Sequence, residues 1–251
     1  MSLRSDFKTL YHLALRPVRG RDHAERMEDF YASQAEGYDD FRRRLLAGRE
    51  ELYRRLADSS PGGVWVDFGG GTGSNLEFIG DALAKFSAVY VVDLARSLLA
   101  VVDRRCEERG WRNVTAIEGD ATKWSPPDGA ADVVTFSYSL TMIPDWFAAV
   151  DNASRILQPN GLLGAVDFYA SRKYPDAGLR RHRWGVRSLW PLWFANDNVF
   201  LSPDHLPYLR HRVETVWLAE SVNRVPYLPL TRVPYYGFIG RKRGAAPDSV
   251  G

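Results

Sequence analysis

Cysteine is almost absent from these 251 residues: Cys106 stands alone. A single thiol forms no internal disulfide and no cysteine zinc cluster, and the simplest setting for it is the reducing cytosol. Long apolar runs are missing too. Nowhere do about 18 consecutive apolar residues occur, which excludes a bilayer-spanning helix. The first turns carry Arg4, Asp6 and Lys8 and lack the apolar stretch of a cleavable secretory signal, so none is expected. Charge of one sign is also lacking, since 33 Lys+Arg against 31 Asp+Glu leave a net charge of +2. That balance excludes a strongly basic nucleic-acid tail and a strongly acidic solvating chain. With no cysteine cluster and no helical His-x-x-x-His pair, no metal is expected. What is abundant is arginine, which supplies nearly all the positive charge, and tryptophan, with eight residues. The length suits one domain with embellishments.

The hydrophobic pattern changes twice along the chain. Residues 1–60 read as a helical cap. Leu3, Phe7, Leu10, Tyr11 and Ala14 share one face, and further helices are predicted over 22–38 and 39–58. After Ser59-Ser60-Pro61-Gly62-Gly63 come short apolar runs at 64–68, 88–92, 114–117, 132–136 and 162–168. Helical patterns separate them near 75–86, 95–109 and 145–157. Apolar strands alternating with helices predict a parallel sheet covered on both faces. Residues 170–210 break this rhythm as an insert rich in Arg, Trp and Pro. Two late strands (212–218 and 233–239) follow, and from 241 onward the chain reads as a flexible tail. The domain proper is placed at 61–243, with 244–251 outside it.

The stretch Val64-Trp65-Val66-Asp67-Phe68-Gly69-Gly70-Gly71-Thr72-Gly73-Ser74-Asn75 runs an apolar strand into four glycines and then a helix pattern. Glycines there permit positive φ and let a ligand approach the backbone, whose free N–H groups donate to it. Tyr90-Val91-Val92-Asp93 ends the next strand on a carboxylate, twenty residues after Gly73. An acid in that place accepts ribose hydroxyls, although it could equally cap the helix that begins near Ala95. The dinucleotide fingerprint would put its third glycine where Ser74 stands.

Gly69, Gly71 and Gly73 preceded by Asp67, with Asp93 downstream, resemble the first motifs of class I S-adenosylmethionine-dependent methyltransferases. Glu118-Gly119-Asp120-Ala121 after the third strand, Ser137-Tyr138-Ser139-Leu140 closing the fourth, and Leu157-Gln158-Pro159-Asn160-Gly161 before the fifth match the family in order. Asn160 stands where glycine is commoner, but asparagine tolerates the left-handed conformation. The resemblance implies a Rossmann-like α/β fold with a seven-stranded, mostly parallel sheet, and S-adenosyl-L-methionine as cofactor. Its binding residues would be Asp67, Gly69, Gly70, Gly71, Gly73, Asn75, Asp93, Leu94, Asp120, Ala121 and Ser137. Tyr38 and Arg49 would join them from the helical lid. Arg49 would hold a carboxylate through its planar fork, or would simply be an exposed helix arginine. The Asn/Asp-Pro-Pro-aromatic turn of adenine and amide methyltransferases is missing here, and Cys106 lies away from the place a cytosine-C5 enzyme needs it.

Outside the cofactor motifs the chain resembles a narrower group. The segments His23 to Tyr31, Gln34 to Asp39, Leu45 to Glu50, Ser137 to Pro144, Val166 to Tyr169, Trp193-Phe194, Leu201 to Pro203 and Val233 to Tyr236 are similar to the methyltransferase half of betaine-lipid synthases. That resemblance implies trimethylation of the amine of diacylglycerylhomoserine. A separate aminocarboxypropyl transferase would be the pathway partner, because no counterpart of that domain is present. A phosphatidylethanolamine-type N-methyltransferase and a soluble small-molecule methyltransferase are the alternatives. Tyr138 is the first choice for the acceptor pocket, with Tyr169 second and Tyr31 in the lid, because aromatic faces stabilise a growing quaternary ammonium. Asp167, His182 and His205 are possible proton acceptors. Between 172 and 187 lie six basic residues (Arg172, Lys173, Arg180, Arg181, Arg183, Arg187) against Asp176, interleaved with or followed by Trp184, Trp190, Trp193 and Phe194. Basic side chains attract anionic headgroups and tryptophan favours the interface. The expectation is therefore a cytoplasmic protein held peripherally on the inner face of the membrane, with no nucleic-acid partner. The bland alternative is a solvated basic face with aromatics packed on the sheet.

Overall fold

The computed structural model describes Glu25 and residues 45–244, apart from 128, 196–197 and 226–227. Tyr31, Tyr38 and most of the predicted helical cap lie outside the described residues. The chain enters on α1 (Arg49–Ser59) and forms β1 (Gly63–Phe68), then two short 3-10 segments, Ser74–Phe78 and Gly80–Lys85. Next come β2 (Phe86–Asp93), α2 (Arg96–Arg109), β3 (Val114–Glu118), β4 (Ala131–Ser137), α3 (Trp146–Ile156) and β5 (Leu157–Phe168). The insert carries α4 (Trp184–Ala195) and α5 (His205–Arg212), and the hairpin β6 (Glu214–Val225) and β7 (Leu228–Arg241) closes the sheet.

Seven strands run in the order β3-β2-β1-β4-β5-β7-β6, and β7 is antiparallel to both its neighbours while β1 to β5 pair in parallel. This is the predicted fold class. Side chains alternate across the sheet, so each strand feeds two cores. One core packs Tyr53 and Leu56 of α1, Leu99 and Val102 of α2, and Trp190 and Phe194 of α4. The other packs Val150 and Ala153 of α3 with Leu206 and Leu209 of α5. Chain order reverses direction at β1, which has β2 on one side and β4 on the other. A doubly wound sheet opens its ligand crevice there, beyond the carboxyl ends of the strands.

Several boundaries differ from the sequence expectation. The helix predicted over 75–86 is two 3-10 segments, because Gly80 at φ +59 interrupts it. Glu77 anchors the first segment to α2 through Arg105 and through Arg109 at 3.1 Å. The helix predicted over 39–58 is broken: Leu45 is helical, and a turn through a left-handed Gly48 separates it from the helix that starts at Arg49. The late strands are longer than predicted, β6 running on to Val225 and β7 starting at Leu228, and the added part of β6 is mostly half-exposed rather than an apolar run. Nor does the tail begin at 241. Arg241 ends β7, and Lys242 exchanges backbone hydrogen bonds with Asn160 (3.0 Å) and Gly161 (2.9 Å). Asn160 itself adopts φ +67, as its turn chemistry predicts.

Candidate active site

β1 delivers Asp67 to the crevice with no solvent exposure. Its Oδ1 accepts from the Tyr53 hydroxyl and from the Thr135 hydroxyl, each at 2.7 Å. Its Oδ2 is buried with no hydrogen-bond partner among the described residues. Burial pushes this carboxyl from its usual 3.8 up to about 6; the two hydroxyls pull against that, and the charge of Asp93 adds to it. Burial, reinforced by Asp67, raises the Tyr53 phenol well above its ordinary value.

The glycine turn folds over this acid. Gly69, Gly71 and Gly73 adopt φ of +64, +58 and +68, and the Gly69 N–H donates to the Val92 carbonyl at 2.8 Å. Side chains are excluded as well as strained. A Cβ on Gly69 would lie 2.5 Å from Ser139 Cβ, and one on Gly70 would lie 2.7 Å from Val91 Cγ1 and 3.0 Å from Asp67 Oδ2. Asp93, at the end of β2, ties the glycine turn to the segment that leads into α2. Its Oδ2 accepts from the Gly71 N–H at 2.9 Å, and its Oδ1 accepts from the Ala95 N–H at 3.0 Å. Leu94 beside it is half-buried.

Arg49 is not an exposed helix arginine. It is buried, donating to the Leu46 carbonyl and to Asn75 Oδ1, each at 3.0 Å, with its guanidinium over the Phe78 ring. Asn75 donates in turn to the Tyr53 hydroxyl at 3.3 Å. Arg49, Asn75, Tyr53, Asp67 and Thr135 therefore form one buried polar chain beneath the glycines, which fixes their position. Asp120 is half-buried and accepts from the Thr122 N–H and hydroxyl at 2.9 and 2.7 Å. Burial raises its pKa, but these bonds and Lys123 outweigh that and hold it below the usual carboxylate range. Ala121 is buried beside it. Ser137 is also buried, and its Oγ has no partner among the described residues.

Tyr138 follows β4 at φ +55, an unusual conformation for a bulky residue that stores of order 1–3 kcal/mol. Its hydroxyl donates to the Ala47 carbonyl at 2.7 Å, and its ring meets Phe168 edge-on at 4.6 Å. The turn after it is pinned by Asp167, which accepts from the Thr141 N–H (3.0 Å), the Thr141 hydroxyl (2.8 Å) and the Phe168 N–H (2.8 Å). Burial lifts the Asp167 carboxyl to about 7 despite these bonds. Tyr169 is not brought beside Tyr138. It joins the opposite core, with its ring against His182 and Tyr236 and its hydroxyl bonded to the Glu220 carboxylate. His182 Nδ1 accepts from the Ser171 N–H at 3.1 Å. His205 is wholly buried against Trp146, and burial lowers its pKa to about 3. Cys106 is a half-buried residue of α2 packed on the first core, as expected.

Tyr53, Thr135 and Thr141 were missed from the sequence. The readable signal was a lone threonine inside the apolar run of β4, which needs a hydrogen-bond partner in a parallel sheet buried on both faces.

A glycine turn at the reversal point of a parallel sheet, with an acid closing the next strand, defines a nucleoside-cofactor site of the doubly wound class. The orphaned Asp67 oxygen and the turn whose Gly69 and Gly70 admit no Cβ both fit such a ligand. The chain belongs to the methyltransferase-domain family, whose pattern matches residues 38–219, and S-adenosyl-L-methionine is its methyl donor. It is 29% identical over 185 residues to the demethylmenaquinone methyltransferase of Geobacillus kaustophilus, spanning 73% of each chain. It is 28% identical to the ubiquinone/menaquinone biosynthesis C-methyltransferase of Ectopseudomonas mendocina, over 62% of this chain and 63% of that one. The phosphoethanolamine N-methyltransferase 2 of Haemonchus contortus, solved with phosphomonomethylethanolamine and S-adenosylhomocysteine, superposes with a TM-score of 0.66 at 14% identity. That alignment covers 90% of this chain and 61% of that one. The YcgJ protein of Bacillus subtilis superposes with a TM-score of 0.61 at 17% identity, covering 78% and 99%.

Proposed function

We propose that this methyltransferase acts at a membrane surface and trimethylates the amine of diacylglycerylhomoserine to give the betaine lipid. The observation that carries this reading is the outer face of α4. Trp184 (75% exposed), Leu189, Leu192 (73%) and Trp193 turn to solvent there, with Phe200 exposed just beyond. The basic residues Lys173, Arg180, Arg181 and Arg183 flank this face, all exposed. Tyr174 lies among them, with Lys173 and Arg181 over its ring. Exposed apolar side chains accompanied by exposed basic ones are what anionic bilayers attract. No helix among the described residues is long and apolar enough to cross a membrane, so the lipid would be reached from outside. The resemblance of the segments outside the cofactor motifs to betaine-lipid synthases supports the particular acceptor.

When bound, S-adenosylmethionine supplies an electrophilic methyl on its sulfonium sulfur, which leaves as the neutral thioether while each N–C bond forms. Alignment and exclusion of water are the protein's share. The Tyr138 ring would face the amine and stabilise its growing positive charge by up to ~2 kcal/mol. One proton leaves the nitrogen for water before each of the three transfers. An α-amine ionises near pH ~8, so desolvation suffices in place of a dedicated base. Tyr138→Ala is expected to lower kcat about tenfold. Tyr138→Phe should lower it only two- to threefold, because it keeps the ring and loses the bond to Ala47. Equal losses in the two variants would remove the ring from the mechanism.

Co-sedimentation with vesicles containing phosphatidylglycerol tests the surface. Wild type should bind, and Leu192→Glu should bind at least tenfold more weakly while retaining turnover on detergent-dispersed acceptor. Absence of wild-type binding would contradict the lipid reading.

A further inference from the structure

Of the six basic residues in 172–187, Arg187 alone turns inward. Arg172, Lys173, Arg180, Arg181 and Arg183 are exposed, and Arg172 is paired with Asp204 at 2.7 Å. Arg187 is half-buried on the inner side of α4, one turn before Trp190. Its Nε and one terminal nitrogen, Nη1, are buried with no hydrogen-bond partner among the described residues. Inner-face residues of α4 cover the carboxyl end of β5. Phe194 stacks on Phe168 at 4.8 Å, Trp190 meets Phe194 at 5.8 Å, and Phe168 carries the Tyr138 ring. The Arg187 charge also reaches His182. Burial chiefly holds that ring below its usual 6.5; Glu220 pulls against it, and Arg180 and Arg187 add to it. His182 in turn packs on Tyr169 at 4.8 Å. The unpaired guanidinium therefore lies on the side of α4 that covers Phe168, close enough to His182 for its charge to be felt there.

A guanidinium stays ionised at any accessible pH, and leaving its buried N–H groups unpaired is unfavourable by about 1–3 kcal/mol or more. Such an orphan in a folded protein marks a missing partner. The partner that fits a planar fork of N–H donors is an oxyanion with two oxygens, a carboxylate or a phosphate. We infer that Arg187 is the oxyanion receptor of the acceptor site, holding the acidic group of a zwitterionic headgroup whose amine faces Tyr138. This rests on the amine-acceptor reading above and narrows it: the substrate carries an anionic group close to the nitrogen that is methylated. A homoserine carboxylate and an ethanolamine-linked phosphate both meet that description.

The test compares wild type with Arg187→Gln, which keeps a polar N–H donor on a shorter stem but loses the charge and the fork, and with Arg187→Lys. Homoserine and phosphoethanolamine are titrated as soluble probes in the presence of S-adenosylhomocysteine, followed by calorimetry. Wild type should bind at least one probe, and which one it prefers tells carboxylate from phosphate. Arg187→Gln should lose that binding at least tenfold, with cofactor affinity and melting temperature unchanged or raised, and Arg187→Lys should recover part of it. In turnover, Arg187→Gln should raise KM for the lipid acceptor at least tenfold and leave kcat within about twofold. Equal probe binding by wild type and Arg187→Gln, or no probe binding by wild type, would overturn the inference. Probe binding lost in Arg187→Gln, without lipid methylation by wild type, would uphold the oxyanion site and remove the lipid assignment instead.

Discussion

Replacing Asp93 by alanine is expected to weaken S-adenosylmethionine binding by about 10²-fold or more. The carboxylate accepts from two backbone N–H groups, Gly71 at 2.9 Å and Ala95 at 3.0 Å. Both bonds are charge-assisted, of the kind worth about 1.5–3 kcal/mol each. One closes the glycine turn onto β2, and the other holds the Ala95 N–H just ahead of α2. The same carboxylate stands where a ribose would present its hydroxyls. Alanine removes the ligand's acceptor and loosens the turn that cradles the rest of the ligand, so a loss of about 3 kcal/mol, or about 10²-fold, is a modest expectation. Asp93→Asn keeps one acceptor oxygen and should fall between the two. Calorimetric titration with the cofactor measures all three proteins; equal affinities would show that the turn binds nothing that reaches Asp93.

The second large effect is on stability against pH. Asp67 and Asp167 are wholly buried, and burial raises their carboxyls from 3.8 to about 6 and about 7. For an acid whose folded pKa lies above its unfolded value, the folded state holds the extra proton between the two values. Stability is then full below about 4, falls as pH rises through the window, and stays reduced above the folded pKa. At about 1.4 kcal/mol for each pH unit that separates the folded from the unfolded value, each group removes on the order of 3 kcal/mol by neutral pH. Wild type should thus lose denaturant stability between pH 4 and pH 7 beyond what its surface charges account for. Asp67→Asn and Asp167→Asn should each flatten that decline and be the more stable proteins at pH 8. Asp67→Asn should at the same time bind cofactor more weakly, because the orphaned Oδ2 facing Gly70 becomes an amide or is lost as an acceptor. An unchanged pH profile in both variants would mean that these carboxyls titrate alike in the folded and unfolded chains.

The buried acids also show which parts of this protein were legible in its sequence. Strands and glycines were, because their signals are local. A run such as Val64 to Phe68 has nowhere to go but a buried strand, and three glycines in alternation leave one turn geometry. Asp93 was legible for the same reason, since it closes a strand at a fixed distance from that turn. Helix boundaries were not. Gly80 reads as a tolerable helix interruption, yet in the fold it divides two 3-10 segments, the first tied to α2 by Arg105 and Arg109 on Glu77, 28 and 32 residues away. Arg49 and Arg187 carry the same lesson in side chains. On a helix surface each would be one of many arginines; burial makes the first a strut under the cofactor turn and the second an unpaired charge. Nothing in the residues around them encodes that difference, because it depends on which face of α1 or α4 meets the sheet. Tyr53 is likewise an ordinary amphipathic-helix position until β1 places Asp67 at 2.7 Å from its hydroxyl.

The decisive measurement is the mass of the lipid produced when the purified protein is given S-adenosylmethionine and, side by side, diacylglycerylhomoserine, phosphatidylethanolamine and demethylmenaquinone in vesicles. The homoserine lipid is expected to gain one, two and three methyl groups, with the trimethylated species accumulating and the quinone unchanged. Methylation of the quinone, or of the ethanolamine lipid in place of the homoserine lipid, would contradict the proposed function.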